Sequence, residues 1–229
     1  MLICKWKKIP EDLQNEAVYK YWLILRKKNF SLFWKRVFDI AVSFMLLILL
    51  ALPFLILAIA IKADSKGPVF YRQARVTQYG KIFSIHKFRT MIVDADSGSQ
   101  VTVAGDDRIT RVGKKIRKIR MDELSQLIDV FLGKMTFVGT RPEVPKYVER
   151  YTEEMKATLL LPAGITSLAS IKYKDEDRLL ASAEDTDETY VNEVLPGKME
   201  YNLQAIRKQG FWRDIGMMFR TVGAVLRRR

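Results

Sequence analysis

The densest chemistry in the chain lies between Arg108 and Glu123, where seven bases (Arg108, Arg111, Lys114, Lys115, Arg117, Lys118, Arg120) lead to the adjacent acids Asp122 and Glu123. Neighbouring helical residues diverge by about 100°, so the two carboxylates cannot share one position. They can still flank one site, one attacking and one assisting. An Asp at the start of a helix is stabilised as the anion, ready as a nucleophile or a Mg²⁺ ligand. Arg and Lys nearby would hold a diphosphate and spread its developing charge. The same residues also read as a basic helix resting on lipid headgroups and ending in a capping acid, and their types alone leave both readings open.

Other constellations carry less. Met91 to Asp96 opens like the strand and DxD of an aspartyl-phosphate phosphatase, but Ser97 stands where Thr or Val is usual and no later module supports it. Read as a calcium loop, Asp94 to Gly105 lacks the closing Glu. There is no Walker loop and no GxGxxG, and the lone His86 reads as a structural histidine. The single Cys4 excludes an internal disulfide and points to a reducing compartment.

The elements that must position Asp122 and Glu123 begin with an apolar run. Ile40 to Ile61 spans 22 residues without a charge, the hydropathy signature of membrane insertion. Pro53 breaks it, because proline lacks a backbone donor and kinks a helix. The limb from Ile40 to Leu52 would reach roughly 20 Å, short of a hydrocarbon core of roughly 30 Å. Lys35 and Arg36 precede the run while Lys62 and Lys66 follow it, so bases flank both ends. A re-entrant helix, break and helix fits both observations; a Pro-kinked spanning helix is the other reading.

Around this segment, residues 5–34 interleave aromatics with bases, as does an amphipathic run from Phe211 to Leu226, and both suit a membrane surface. The C-terminal stripe would equally pack on the core. Val69 to Tyr71 and Ile82 to Ile85 read as a hairpin around Gly80, and Ile109 to Leu132 as helices broken near Arg120-Met121. Ile165 to Tyr173 reads as a further β segment. The expected class is therefore α+β and mainly helical: a monotopic membrane protein with a Pro-broken re-entrant helix and a small cytoplasmic domain containing a short β-hairpin. Its expected divisions are an N-terminal appendage over 1–34, the re-entrant helix over 35–66 and the catalytic domain over 67–229.

At 229 residues and 48% hydrophobic, the chain has room for one core and is excluded from the disordered class. Its net charge of +13 implies a polyanionic partner. Nine acids against two bases in 175–200 make a local −7, leaving +20 elsewhere. That surplus also suits a non-catalytic basic adaptor for anionic lipid or nucleic acid.

Six motifs in order resemble the small monotopic polyprenyl-phosphate phosphoglycosyl transferases of bacteria. They are Lys35-Arg36-Val37-Phe38-Asp39; Gly67-Pro68-Val69-Phe70 with Gln73 and Arg75; Lys87-Phe88-Arg89-Thr90-Met91; Arg120-Met121-Asp122-Glu123-Leu124 with Gln126-Leu127; Val138-Gly139-Thr140-Arg141-Pro142; and Gly164-Ile165-Thr166. The resemblance implies transfer of a sugar-1-phosphate from a UDP-sugar to a polyprenyl phosphate such as undecaprenyl phosphate, with release of UMP and with Mg²⁺. It implies Asp122 as a nucleophile that becomes a phosphosugar ester and as the metal ligand, and Glu123 as the assisting acid. Arg117, Arg141 and Pro142 of the Arg-Pro motif, Lys87 and Arg89 are its implied substrate contacts. It places the chain at the bacterial inner membrane with the catalytic domain on the cytoplasmic face, at the first membrane step of a surface polysaccharide or glycoconjugate pathway, with membrane lipid and no nucleic acid as partner. The chain departs from the family at Thr140, where Pro is usual, and at Ala163 and Ser167 to Ser170, which bear on donor-side details.

Overall fold

Asn15 opens the first α-helix, α1 (Glu16–Arg26), its side chain accepting the Val18 N–H at 2.9 Å. This is a computed structural model, and it describes residues 2–93, 107–174, 176, 180 and 185–226. Val18, Tyr21, Trp22 and Leu25 follow helical spacing and are buried with Ile3, Ile9, Leu13 and Leu32 in the largest core cluster. The segment expected as an interfacial appendage thus packs into the core along one face. Tyr19, Phe30, Phe33 and Trp34 remain exposed. The mixture of aromatics and bases divides between a buried face of α1 and an exposed start of the next helix, which composition alone does not separate.

The apolar run forms α2 (Asn29–Leu49) and α3 (Ala51–Asp64), bent by 61°. The break falls at Leu50 and not, as expected, at Pro53, which sits in the first turn of α3. Proline cannot donate to the Leu49 carbonyl four residues back, and its ring would clash there, so the chain turns one helical turn before the proline itself. No single described helix is long and apolar enough to cross a membrane; the bent pair passes that test together by length and composition. Phe44, Met45, Ile48, Leu52, Leu55 and Ile59 along it are exposed.

Lys35, Arg36 and Asp39 anchor α2 to the rest of the chain, so the first two are not the free flanking charges that the sequence suggested. Arg36 donates to the Val130 and Phe131 carbonyls at 2.6 and 2.9 Å, at the end of α5 (Leu127–Phe131). Lys35, 3% exposed, donates to the Val138 carbonyl at 2.9 Å and pairs with Asp214 at 2.5 Å. Asp39, 1% exposed, accepts the Thr136 hydroxyl at 2.6 Å.

Strands β1 (Phe70–Val76) and β2 (Ile82–Phe88) form the expected antiparallel hairpin. Then come α4 (Arg111–Lys118), a 3-10 turn (Met121–Gln126) that runs into α5, and β3 (Met135–Val138). Strand β4 (Ala163–Thr166) lies parallel to β3, a pairing the sequence did not announce. The β segment expected over Ile165 to Tyr173 ends at Thr166, because the Ser167 hydroxyl accepts the Ser170 N–H at 3.0 Å and starts α7 (Leu168–Lys172). The short α6 (Pro145–Val148) precedes β4; α8 (Thr186–Thr189), a π-helical turn (Tyr190–Val194), α9 (Leu195–Arg207) and α10 (Phe211–Leu226) complete the chain. The phosphatase and calcium-loop motifs at Asp94 and beyond lie outside the described residues.

Candidate active site

The Thr110 side chain caps α4 by accepting the Gly113 N–H at 3.0 Å, and Asp64 at the end of α3 accepts the Val112 N–H at 2.8 Å. After α4 the chain reverses at Arg120, a non-glycine residue at φ 55°, and enters the 3-10 turn that carries Asp122 and Glu123. That turn is fixed to β2. Ser125 donates its hydroxyl to the His86 carbonyl at 3.1 Å, and the fully buried Asp129 holds both the His86 N–H and the ring Nδ1 at 2.8 Å. His86 is therefore structural, as the sequence suggested, and it holds the adjacent Lys87 across from the carboxylates.

Arg141 arrives from the other sheet. At its end Gly139 and Gly164 meet back to back: a Cβ on Gly164 would fall 2.1 Å from the Gly139 nitrogen. The Gly164 N–H bonds the Thr140 carbonyl at 2.8 Å, which fixes the residue before Arg141. The guanidinium then forks onto Glu123, with Nη2 at 2.5 Å from Oε1 and Nη1 at 3.3 Å from Oε2. Arg120 at 3.7 Å and Lys87 at 4.0 Å complete the cationic shell of Glu123.

These groups face a cleft of about 500 Å³ that also meets Arg117, Lys118 and Asp122. Burial alone would raise the Glu123 pKa, but Arg141 and Lys87 outweigh it and hold the carboxyl well below the usual range. Asp122 moves the opposite way, pushed up by burial and by the Glu123 charge. This corrects the expectation that a helix start would stabilise its anion: the turn is a short 3-10 one, and the neighbouring carboxylate dominates. The Asp122 carboxylate has no ion pair among the described residues, and Arg117 Nη1 is buried without a partner there. Burial, then Arg141, lower the Lys87 pKa to about 8.

Of the residues expected to act, Asp122, Glu123, Arg117, Arg141 and Lys87 are brought together. Arg89 is not. Its side chain, 5% exposed, donates to the carbonyls of Ile61, Ser65 and Lys66 and so caps α3. Pro142 also stays out of the cleft, its carbonyl accepting from Arg75 at 2.9 Å. The far wall holds Ser170, Tyr173, Glu176 and Lys198, which the sequence reading missed. Lys198 donates to Glu176 at 3.1 Å and to the Tyr190 hydroxyl at 2.8 Å. As one of two bases in the acidic run, it was the signal available there.

A metal fits this site only as an ion shared with a ligand. No cluster of three His, Cys, Asp or Glu occurs among the described residues, and Glu123 is consumed by its cations. Asp122 is left as the free carboxylate, and Mg²⁺ commonly binds through one or two carboxylates plus substrate phosphates.

The family profile described as Bacterial sugar transferase matches residues 30–228. The chain belongs to that family. Among its relatives, a Klebsiella pneumoniae UDP-glucose:undecaprenyl-phosphate glucose-1-phosphate transferase is 35% identical over 84% of this chain and 40% of its own length. An Aeromonas hydrophila UDP-N-acetylgalactosamine-undecaprenyl-phosphate N-acetylgalactosaminephosphotransferase is 33% identical over 85% of this chain and 44% of its own. A shorter Caulobacter vibrioides relative, a UDP-glucose:undecaprenyl-phosphate glucose-1-phosphate transferase, is 35% identical over 84% of this chain and 69% of its own length. The chain thus spans less than half of the first two bacterial sugar transferases that it matches.

Proposed function

We propose that this bacterial sugar transferase moves a sugar-1-phosphate from a UDP-sugar to undecaprenyl phosphate and releases UMP, as an early step in assembling a surface polysaccharide or glycoconjugate. One observation carries the reading: of two adjacent carboxylates in a cationic cleft, Glu123 is neutralised by Arg141 while Asp122 is left unpaired. The names of the relatives supply the substrate classes, and because those names differ in the sugar, they leave its identity to experiment.

In this reading an Asp122 oxygen attacks the phosphorus next to the sugar. The bond from that phosphorus to the oxygen bridging to UMP breaks, and UMP leaves with the electron pair. The product is an aspartyl-phosphosugar ester. A phosphate oxygen of the acceptor then attacks the same phosphorus, releasing the Asp122 carboxylate and forming the undecaprenyl-diphosphate sugar. With Asp122 as its carboxylate and the acceptor phosphate as an anion, neither step needs a proton; because burial and Glu123 push the Asp122 pKa up, acid should disable this nucleophile sooner than an ordinary Asp. Arg117, with an unpaired nitrogen, and Lys87 would meet the charge on the departing phosphate. Glu123 holds Arg141 in place. Mg²⁺, held by Asp122 and the donor's diphosphate, would neutralise charge in the ground and transition states. The bent α2–α3 pair, with its exposed apolar side chains, would sit in the membrane as a broken re-entrant helix beside the acceptor's prenyl chain.

The test is isotope exchange. Purified protein, Mg²⁺ and labelled UMP, without acceptor, should label UDP-glucose, UDP-galactose or UDP-N-acetylgalactosamine, because the first half-reaction is reversible. Asp122→Asn should lose this exchange by at least about 10³-fold. Exchange that persists in the variant would remove Asp122 as nucleophile.

A further inference from the structure

The groove between α9 and α10 is separate from the cleft. It encloses about 290 Å³, and Thr140 and Leu168 face it from the turn and the helix whose Arg141 and Ser170 line the cleft. Its rim carries Lys208, Arg213 and Arg220, all exposed and none with a carboxylate partner among the described residues. The acid that lines it, Asp214, is already held by Lys35 at 2.5 Å and Gln209 at 2.9 Å. Three positive charges therefore surround a small volume with no available counter-charge. Asn202, 4% exposed, also lines the groove; among the described residues its amide makes one contact, a 3.8 Å approach of Nδ2 to the Met199 sulfur. Asn202 thus puts an amide in the groove wall, within reach of a polar guest. Ile206 and Met217 supply an apolar wall.

The faces of α10 set the orientation. Trp212 is 80% and Phe219 74% exposed, seven residues apart on one side, while Phe211 stacks edge-on against Phe38 and Met218 packs on the core. Arg213 and Arg220 each lie one position beyond the exposed aromatics, about 100° further round the axis. If Trp212 and Phe219 enter a bilayer, the groove opens at the level of the headgroups, where cations and amphipathic aromatics are favoured.

We propose that this groove binds the headgroup of an anionic phospholipid. Its phosphodiester meets Lys208, Arg213 and Arg220, its polar head reaches the Asn202 amide, and its acyl chains run past Trp212 and Phe219. The inference rests on α10 facing a membrane and not on the transfer reaction.

Native mass spectrometry of the full chain in detergent, titrated with phosphatidylglycerol or phosphatidylcholine, tests it. Both the unaltered chain and Asp122→Asn should retain one phosphatidylglycerol, with phosphatidylcholine held about tenfold more weakly or worse. The double variant Arg213→Gln/Arg220→Gln should weaken retention about tenfold. Lys81→Gln/Arg150→Gln, which removes the same charge from exposed positions outside the groove, should not. Asn202→Leu should also weaken retention if its melting curve shows a folded chain; if it does not fold, the arginine pair decides. Equal weakening by both double variants would mean diffuse surface attraction and overturn the site. Displacement of phosphatidylglycerol by equimolar undecaprenyl phosphate would give the groove to the acceptor and overturn it as well.

Discussion

Lys87 is a cleft residue whose charge changes close to neutral pH. With a folded pKa of about 8 against 10.5 in an unfolded chain, it is cationic at neutral pH and loses its charge as pH rises through about 8. If that charge meets the departing phosphate, kcat/KM for UMP release should fall on the alkaline side of about 8, and Lys87→Met should have a low rate without that limb. Stability should run the other way. Between about 8 and 10.5 the unfolded chain binds more protons than the folded one, so this group's contribution to stability rises with pH across the window. Parallel rate and melting profiles would separate the two effects. Glu123 acts through its partners instead: Glu123→Ala would leave the Arg141 fork without its carboxylate and should cost about 3 kcal/mol, read by denaturant titration.

At the scale of elements, the α3 cap and the α2–α3 bend make distinct predictions. Arg89→Leu strips the Ser65 and Lys66 carbonyls of their side-chain donor where α3 ends, leaves the Ile61 carbonyl to the Ser65 N–H alone, and should lower stability by about 2–4 kcal/mol in denaturant melts, while labelled-UMP exchange per folded molecule changes little. Gly67, at φ 123° with Arg89 packed where a Cβ would go, should tolerate Ala no better. Pro53→Leu restores the missing donor and lets α2 run on through Leu50 into α3. Single cysteines at Lys27 and Lys66, both exposed, should label from one side in a Cys4→Ser background and from opposite sides once Pro53 is replaced. The hairpin, the break after α4 and the Asp122-Glu123 pair were legible because turn residues, helical period and charge are local signals. The β3–β4 pairing was not, since a strand of four residues carries no mark of its partner. Arg89 looked like a phosphate ligand because a guanidinium serves a carbonyl or a phosphate equally well, and only the neighbouring end of α3 decides which. The core face of α1 was hidden by the bases interleaved with it.

For the whole molecule, the two ends of the chain share one core. Leu13, Val18 and Leu25 have no exposed surface and pack in the same cluster as Leu195, Met199 and Ile206. Removing residues 1–28 deletes Leu13, Val18 and Leu25 along with Ile3 and Ile9, at about 2–5 kcal/mol for each large buried side chain, against a total stability of about 5–15 kcal/mol. The truncated chain should show no cooperative melting transition, whereas trimming an appendage would leave one. The Lys35–Asp214 pair adds a consequence in time. The partners stand 179 positions apart, so a ribosome adding roughly 5–20 residues per second exposes Lys35 for on the order of ten to forty seconds before Asp214 is made. Throughout that interval the helix bearing Lys35 has emerged without its clasp. Asp39, one helical turn away, is the nearest countercharge on the nascent segment, so the motif that finally locks α2 to the rest of the chain also carries its own provisional partner during synthesis.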